Sequence, residues 1–293
     1  MNATELHRDI KRLELFVKKL MRGHITGNYL SALKGSGLLF DEVRQYQPGD
    51  DVRKIDWFIT ARTNEPYIKV FKEERELQIW LAVDCSASVD FGTQGQRKGQ
   101  LIAYLAALFA FLAVKNNDRV GLCLFSDRIE KWLPPKKGKR HVYRVLQALL
   151  ETRPIGRETR LVSVLEALQK RIKKRSVIVL ISDFIDQGYE RNLRLLSQKH
   201  DLIPLNVHDK REAEFSSLGV LALRDPESGQ LYPVDSDAPE FQAYWQAQFT
   251  RQNNHTEQMF KKLKLDYLEF YTGQSVLKPL TTFFKRRALH RNH

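Results

Sequence analysis

The chain has 293 residues, 42% of them hydrophobic and 10% aromatic, which is enough for a sizeable core and excludes a disordered chain. Lysine plus arginine is 48 against 35 for aspartate plus glutamate, a net charge of +13 that suits acidic-protein, nucleic-acid or anionic-membrane partners without choosing between them. Only two cysteines occur, Cys85 and Cys123, both in apolar stretches. They exclude a disulfide framework and a Cys/His zinc site, and they point to a reducing compartment.

In chain order, residues 4–22 place Leu6, Ile10, Leu13, Phe16, Val17 and Leu20 at helical spacing. The opening residues lack the apolar core of a signal peptide. Residues 23–75 are broken by Gly35-Ser36-Gly37, Pro48-Gly49-Asp50-Asp51 and Pro66. They are expected to form a mixed N-terminal region with a β component, including an extended piece at Tyr67–Phe71. From residue 76 strands and helices alternate. Leu77–Val83, Arg119–Phe125, Val177–Ile181 and Leu202–Val207 read as buried strands. Helices are expected over Gln96–Asn116, Lys139–Glu151, Arg160–Ile172 and Tyr189–Lys199. Ser126-Asp127-Arg128 makes a tight turn into Ile129–Leu133, an antiparallel partner.

The apolar run Leu101–Val114 is fourteen residues, short of the ~20 that span a bilayer, and reads as a buried helix. A cytoplasmic protein follows, with membrane contact at most peripheral. A β-hairpin is expected within about 214–236, its turn holding Asp225, Pro226, Ser228 and Gly229. A long helix over Glu240–Leu263, a strand at Asp266–Tyr271 and a helix over Val276–Arg287 complete the chain. The alternation predicts an α/β fold, a doubly wound, mostly parallel sheet over 76–293, with 1–75 as the N-terminal region. Ligands then bind at the carboxyl ends of the strands.

Three element ends supply chemistry there: Asp84, Ser86 and Ser88 after the first buried strand, Thr159 before a helix, and Asp183 after the Val177 strand. Two carboxylates and three hydroxyls are hard oxygen donors, suited to Mg²⁺ or Mn²⁺ rather than zinc or copper. Neutral hydroxyls leave such a metal partly uncompensated, so a carboxylate from another protein is a natural last ligand. No phosphate-binding P-loop and no nucleophile–base pair is present, which argues against an enzyme. Cys85 reads as a small buried hydrophobe and His200 and His208 as ordinary hydrogen-bonded histidines.

The Asp84-x-Ser86-x-Ser88 run with the later Thr159 and Asp183 resembles the metal-ion-dependent adhesion site of von Willebrand factor A-type domains. The resemblance implies Ser86, Ser88 and Thr159 as metal ligands, with Asp84 and Asp183 bound directly or through water. Arg157-Glu158-Thr159-Arg160 stands where such domains commonly carry Gly-Gly-Thr-Asp, which sets arginines beside the threonine. A second resemblance is carried by Arg44-Gln-Tyr-Gln-Pro-Gly-Asp-Asp-Val-Arg-Lys-Ile-Asp-Trp57, Thr60-Ala61-Arg62 and Lys69–Arg75. The hairpin segments Gly219-Val220-Leu221 and Tyr232–Asp235, and Leu280–Arg287, extend it. Over roughly 30–290 the chain resembles the bacterial domain-of-unknown-function family 58.

That family is typically linked with MoxR-type AAA+ ATPases. The resemblance therefore implies a non-enzymatic interaction module, an adaptor or chaperone partner of such an ATPase acting on an acidic client. The rival readings are a metal-dependent phosphoester hydrolase, and a basic membrane or nucleic-acid binder with a vestigial metal site. The residues Arg44, Tyr46, Asp50, Asp51, Arg53, Asp56, Trp57 and Arg62 form either an internal charge network, with the aromatics packed on a sheet edge, or a partner-docking surface.

Overall fold

The computed structural model of the chain describes residues 3–21, 33, 38–73, 77–90, 97–156, 158–213, 218–224 and 229–291. Gly35-Ser36-Gly37, Arg157, and Asp225, Pro226 and Ser228 of the expected hairpin turn lie outside them.

The expected sheet is present. β3 (Gln78–Asp84), β4 (Arg119–Phe125), β5 (Ile129–Lys136), β6 (Val177–Ser182), β7 (Asp201–His208) and β10 (Leu268–Tyr271) form one sheet in the order β10-β7-β6-β3-β4-β5. All its pairings are parallel except β4 with the edge strand β5. From β3 the chain steps to β4 on one side and later to β6 on the other, so the strand order reverses between β3 and β6. That crevice is the switch point where an α/β sheet opens to ligands.

The central strand explains the three layers. Along β3, Ile79, Leu81 and Val83 face one core and Trp80 and Ala82 the other, as alternation across a pleated strand requires. The first core is closed by α1 (Ala3–Met21), α3 (Lys98–Lys115) and α4 (Lys139–Glu151). The second is closed by α5 (Leu161–Arg171), α6 (Glu190–Lys199) and the end of α8 (Pro239–Lys262). Helix α3 is long and apolar enough to cross a membrane, yet Leu101, Leu105, Leu108, Phe109 and Leu112 are wholly buried in the protein. The small side chains of Ala106, Ala107, Ala110 and Ala113 let its neighbours approach closely. Against it α1 sets Ile10, Leu13 and Val17, spaced by three and four residues on one helical face.

Two hairpins stand apart from this sheet. β1 (Leu38–Gln45) pairs antiparallel with β2 (Tyr67–Glu73), and a short helix α2 (Trp57–Thr63) lies in the connection. β8 (Val220–Arg224) pairs with β9 (Leu231–Asp235) as a separate two-stranded sheet. A one-turn helix α7 (Lys210–Ala213) precedes that hairpin, and α9 (Leu277–Arg291) ends the chain.

Two expectations are corrected. Trp57 does not pack on a sheet edge but is 70% exposed, because it begins the short α2 on the outer side of the first hairpin. His200 is buried with neither ring nitrogen hydrogen-bonded, whereas His208 keeps the expected hydrogen bond, to Asn253, with only its Nε2 unpaired. Burial holds both imidazoles down to about 4. Arg287, in the last helix, is buried: it pairs with Asp201 at 2.6 Å and Asp266 at 2.9 Å and covers the Phe283 ring.

The sheet's tightest contact is at Gly121 on β4. A β-carbon there would lie 2.9 Å from the Trp80 ring and 3.1 Å from the Leu133 carbonyl. Trp80 in turn stacks on Trp132 at 4.3 Å, so the ring has little room to retreat. Gly121→Ala is therefore expected to lower stability by about 1–3 kcal/mol, read as a lower urea midpoint with unchanged slope.

Candidate metal centre

The five residues singled out in the sequence come together at the switch point. Asp84 ends β3 and is buried, its Oδ1 accepting from the Ser86 amide at 2.9 Å. That bond closes the turn that brings Ser86 and Ser88 to the rim. The Ser86 and Ser88 hydroxyls lie 3.0 Å apart, and Thr159 donates to Ser86 Oγ at 2.8 Å. Ser88 also hydrogen-bonds the carboxylate of Asp183, which follows β6. The three hydroxyls thus form a chain, Thr159 to Ser86 to Ser88, beside two buried carboxylates.

Several partners that the sequence reading missed hold this arrangement. Ser182, the last residue of β6, donates to Asp84 Oδ2 at 2.6 Å and accepts from the Phe184 amide at 3.0 Å. Phe184 has φ 54°, a left-handed conformation that costs a bulky residue about 1–3 kcal/mol. Its ring is wholly buried beside Phe260, which holds the turn that leaves Asp183 at the rim. Asp186 reaches across to accept from the Leu161 amide at 2.7 Å, tying this turn to the start of α5 just after Thr159.

On the other side, Glu130 accepts from Ser126 Oγ at 2.6 Å and from the Ile155 and Gly156 amides at 3.1 and 2.9 Å. These bonds outweigh burial and keep its carboxyl low. Gly156 is required at that point, since a β-carbon would collide with the Asp127 carboxylate and the Ser126 hydroxyl. The loop that presents Thr159 is therefore pinned at both ends. Its neighbour Arg160 turns outward to Glu158, 3.2 Å away, with both side chains largely exposed.

Among the described residues the cation that meets this pair of carboxylates, at Asp183, is Lys98, in the first turn of α3. Its side chain is wholly buried, and Nζ donates to Asp183 Oδ2 at 2.8 Å and to Glu212 Oε1 at 2.6 Å. Burial alone would lower the Lys98 pKa, but the two carboxylates hold it above the usual lysine value. The same ammonium keeps the Asp183 carboxyl low despite burial. Among the described residues Asp84 has no such partner. Burial, and then the charge on Asp183, push its carboxyl up to about 7. Without a further cation, one of the two rim carboxylates therefore tends to hold a proton.

Among the described residues no group of three or more His, Cys, Asp or Glu side chains could hold a metal. The rim's donors are instead two carboxylates and three converging hydroxyls, hard ligands that fit a divalent cation such as Mg²⁺ or Mn²⁺. Cys85 beside them is no ligand: it is half-buried, its Sγ donates to the Phe125 carbonyl at 3.1 Å, and burial with the Asp84 charge pushes the thiol far up.

The second candidate set is divided by the structure. Arg44 pairs with both oxygens of Asp50 at 2.8 and 2.7 Å, and Asp50 accepts the Gln47 amide. Asp51 caps the turn at Val52–Lys54 through the Arg53 amide. Asp56 caps α2 through the Phe58 and Ile59 amides and pairs with Lys69 at 3.2 Å. The Tyr46 amide donates to the Pro66 carbonyl. These residues brace the first hairpin. Trp57, Phe58 and Val52 are left facing solvent, while Arg53 is exposed beside them.

Residues 42–255 match the family model described as "Protein of unknown function DUF58". The chain belongs to the DUF58 family. Two DUF58-like relatives are the uncharacterized proteins Rv1480 of Mycobacterium tuberculosis and Mb1516 of Mycobacterium bovis. Each is 35% identical over 231 residues, 78% of this chain and 73% of the relative. Among solved structures, the conserved hypothetical protein BatB from Bacteroides thetaiotaomicron is 16% identical. It has a TM-score of 0.46 and covers 73% of this chain and 99% of its own. An aerotolerance-related membrane protein from Bacteroides fragilis gives the same identity and TM-score over 72% of this chain and 99% of its own.

The charge balance at the DUF58 rim has a pH signature. The Asp84 carboxyl is raised on folding, so its contribution to stability is full below its ordinary value of 3.8 and is lost as the pH rises towards about 7. In EDTA, the melting temperature of the wild type is expected to fall relative to that of Asp84→Asn across this window. Differential scanning calorimetry at a series of pH values measures the divergence. Parallel curves would show that Asp84 is not the strained group.

Proposed function

We propose that this chain is a non-enzymatic, von Willebrand factor A-like interaction module whose rim holds Mg²⁺ or Mn²⁺ and uses it to capture a partner's carboxylate. The observation that carries the reading is the chain of Thr159, Ser86 and Ser88 hydroxyls beside the buried carboxylates of Asp84 and Asp183. Neutral hydroxyls would leave the cation electron-poor, and an Asp or Glu side chain from another protein would satisfy it. Asp84 and Asp183 would act directly or through water, and Lys98 would keep Asp183 oriented. A bound cation also relieves the rim, since it gives the second carboxylate a reason to ionise.

The partner suggested by the family resemblance is a MoxR-type AAA+ ATPase, with an acidic client protein, in the cytoplasm. The net charge of +13 favours acidic partners by steering their approach. The exposed Trp57 and Phe58 on the braced first hairpin offer a second, apolar contact, of the kind that anchors protein interfaces. Among the described residues no nucleophile paired with a base accompanies the rim. Its side chains bind, orient and neutralise rather than transfer protons.

The test is a binding titration of the purified chain against a MoxR-type AAA+ ATPase encoded in the same genome. Affinity is expected to fall at least tenfold on replacing Mg²⁺ with EDTA, and by a similar factor in Ser86→Ala/Ser88→Ala with Mg²⁺ present. Tight binding that ignores both changes would sink the metal-dependent reading. Turnover of phosphoester substrates with Mn²⁺, abolished in Asp84→Ala, would make the chain an enzyme instead.

A further inference from the structure

A cleft of about 830 Å³ opens directly beside Ser86, between the loop after β3, the start of α3, the end of α4 and helix α1. Its volume is within the range of sites that engulf a ligand or a peptide anchor. The walls are of two kinds. Leu13, Val89, Ile102, Leu149 and Leu150 provide an apolar floor. Arg12, Arg97 and Arg153 line the same cleft, and all three are exposed. Among the described residues that line it, the one acidic side chain is Asp84, which is 1% exposed and already accepts hydrogen bonds from Ser86 and Ser182. The cleft is thus apolar at its base and cationic at its mouth.

We infer that this cleft receives an extended peptide segment of alternating acidic and apolar residues. Its apolar side chains would enter between α1 and α4, and its carboxylates would meet the arginines. Guanidinium groups bind carboxylates by paired, directional hydrogen bonds, and arginine is enriched at protein interfaces for that reason. A polynucleotide fits less well, because an apolar floor of leucine, isoleucine and valine gives bases no aromatic platform beyond Tyr104. The inference deepens the metal reading: a segment lying in the cleft would carry a carboxylate to the Ser86 rim. The arginine contribution does not itself need a metal.

The experiment is fluorescence anisotropy with a short fluorescein-labelled peptide of alternating glutamate and leucine, at physiological ionic strength. Arg153→Glu is the principal variant, since Arg153 lies in the exposed connection between α4 and α5. Arg12→Gln is the second, and melting temperatures confirm that both are folded. The charge control is Lys173→Glu/Lys174→Glu, at the amino-terminal edge of the sheet before β6. The wild type is expected to bind the peptide, Arg153→Glu to weaken it at least tenfold, and the lysine control to change it less than twofold. EDTA is expected to weaken wild-type binding while leaving the Arg153 effect in place.

If EDTA has no effect but the Arg153 loss persists, the cleft stands and the metal reading falls. Equal losses in Arg153→Glu and the lysine control would overturn the cleft, leaving only general attraction to a basic surface. So would a glutamine-for-glutamate peptide that binds as well, or an oligonucleotide that binds with the same Arg153 dependence while the peptide does not.

Discussion

The ion pair between Lys98 and Asp183 is the constraint around which the rim is organised. Both side chains are about 1% exposed, so neither charge is supported by water. A buried ion pair is weak evidence for net stability, because desolvation offsets most of the attraction. Breaking one by removing a partner is a different matter and costs about 3–5 kcal/mol. Lys98 therefore fixes the start of α3 against the ends of β6 and β7, and through Glu212 it extends that tie to α7. Glu212 itself is locked, its side chain accepting from the Asp209 amide and its carbonyl from the Trp245 indole. The rim is in this way connected to the segment that leads into the β8–β9 hairpin and to α8.

The same pair explains why the rim is unbalanced in a useful direction. Lys98 neutralises Asp183, and its second carboxylate partner is Glu212 on α7. Among the described residues Asp84 is left as a buried carboxylate with only hydroxyl and amide donors around it. A site that already holds enough positive charge has no use for a cation, and one with too little does not fold. This one sits between, with hydroxyls from Ser86, Ser88 and Thr159 in place and one carboxylate uncompensated. The cleft beside it carries the opposite charge at its mouth, so the two features favour the same kind of visitor.

Much of this was legible in the sequence, for identifiable reasons. The strand pattern of β3, β4, β6 and β7 is written in continuous apolar runs, and Asp84-x-Ser-x-Ser falls where such a strand ends. Thr159 and Asp183 could be placed on the same rim because both sit at element ends in an alternating fold. Lys98 could not. It is one lysine in a basic stretch, Gln96-Arg97-Lys98, and nothing in its neighbours says that it turns inward to meet residues 85 and 114 positions away. Glu130 and Ser182 escaped for the same reason, since the partners that tie them to the rim, the Ile155 and Gly156 amides and the Asp84 carboxylate, are distant in the chain. The acidic and basic residues of 44–62 form a set in the sequence, but the structure assigns the carboxylates to caps and pairs and leaves outward the neighbouring apolar residues together with Arg53 and Arg62. A cap is visible in sequence when its helix is long, and α2 has only seven residues.

The most direct test of the central claim is a Mn²⁺ titration followed by the electron paramagnetic resonance signal of the free ion. The wild type is expected to bind one Mn²⁺ per chain, Ser86→Ala/Ser88→Ala to bind it at least tenfold more weakly, and Lys98→Gln to bind it more tightly, because Asp183 then lacks its internal cation. A free-ion signal that falls no further with the wild type or with Lys98→Gln than with the double serine variant would contradict the account.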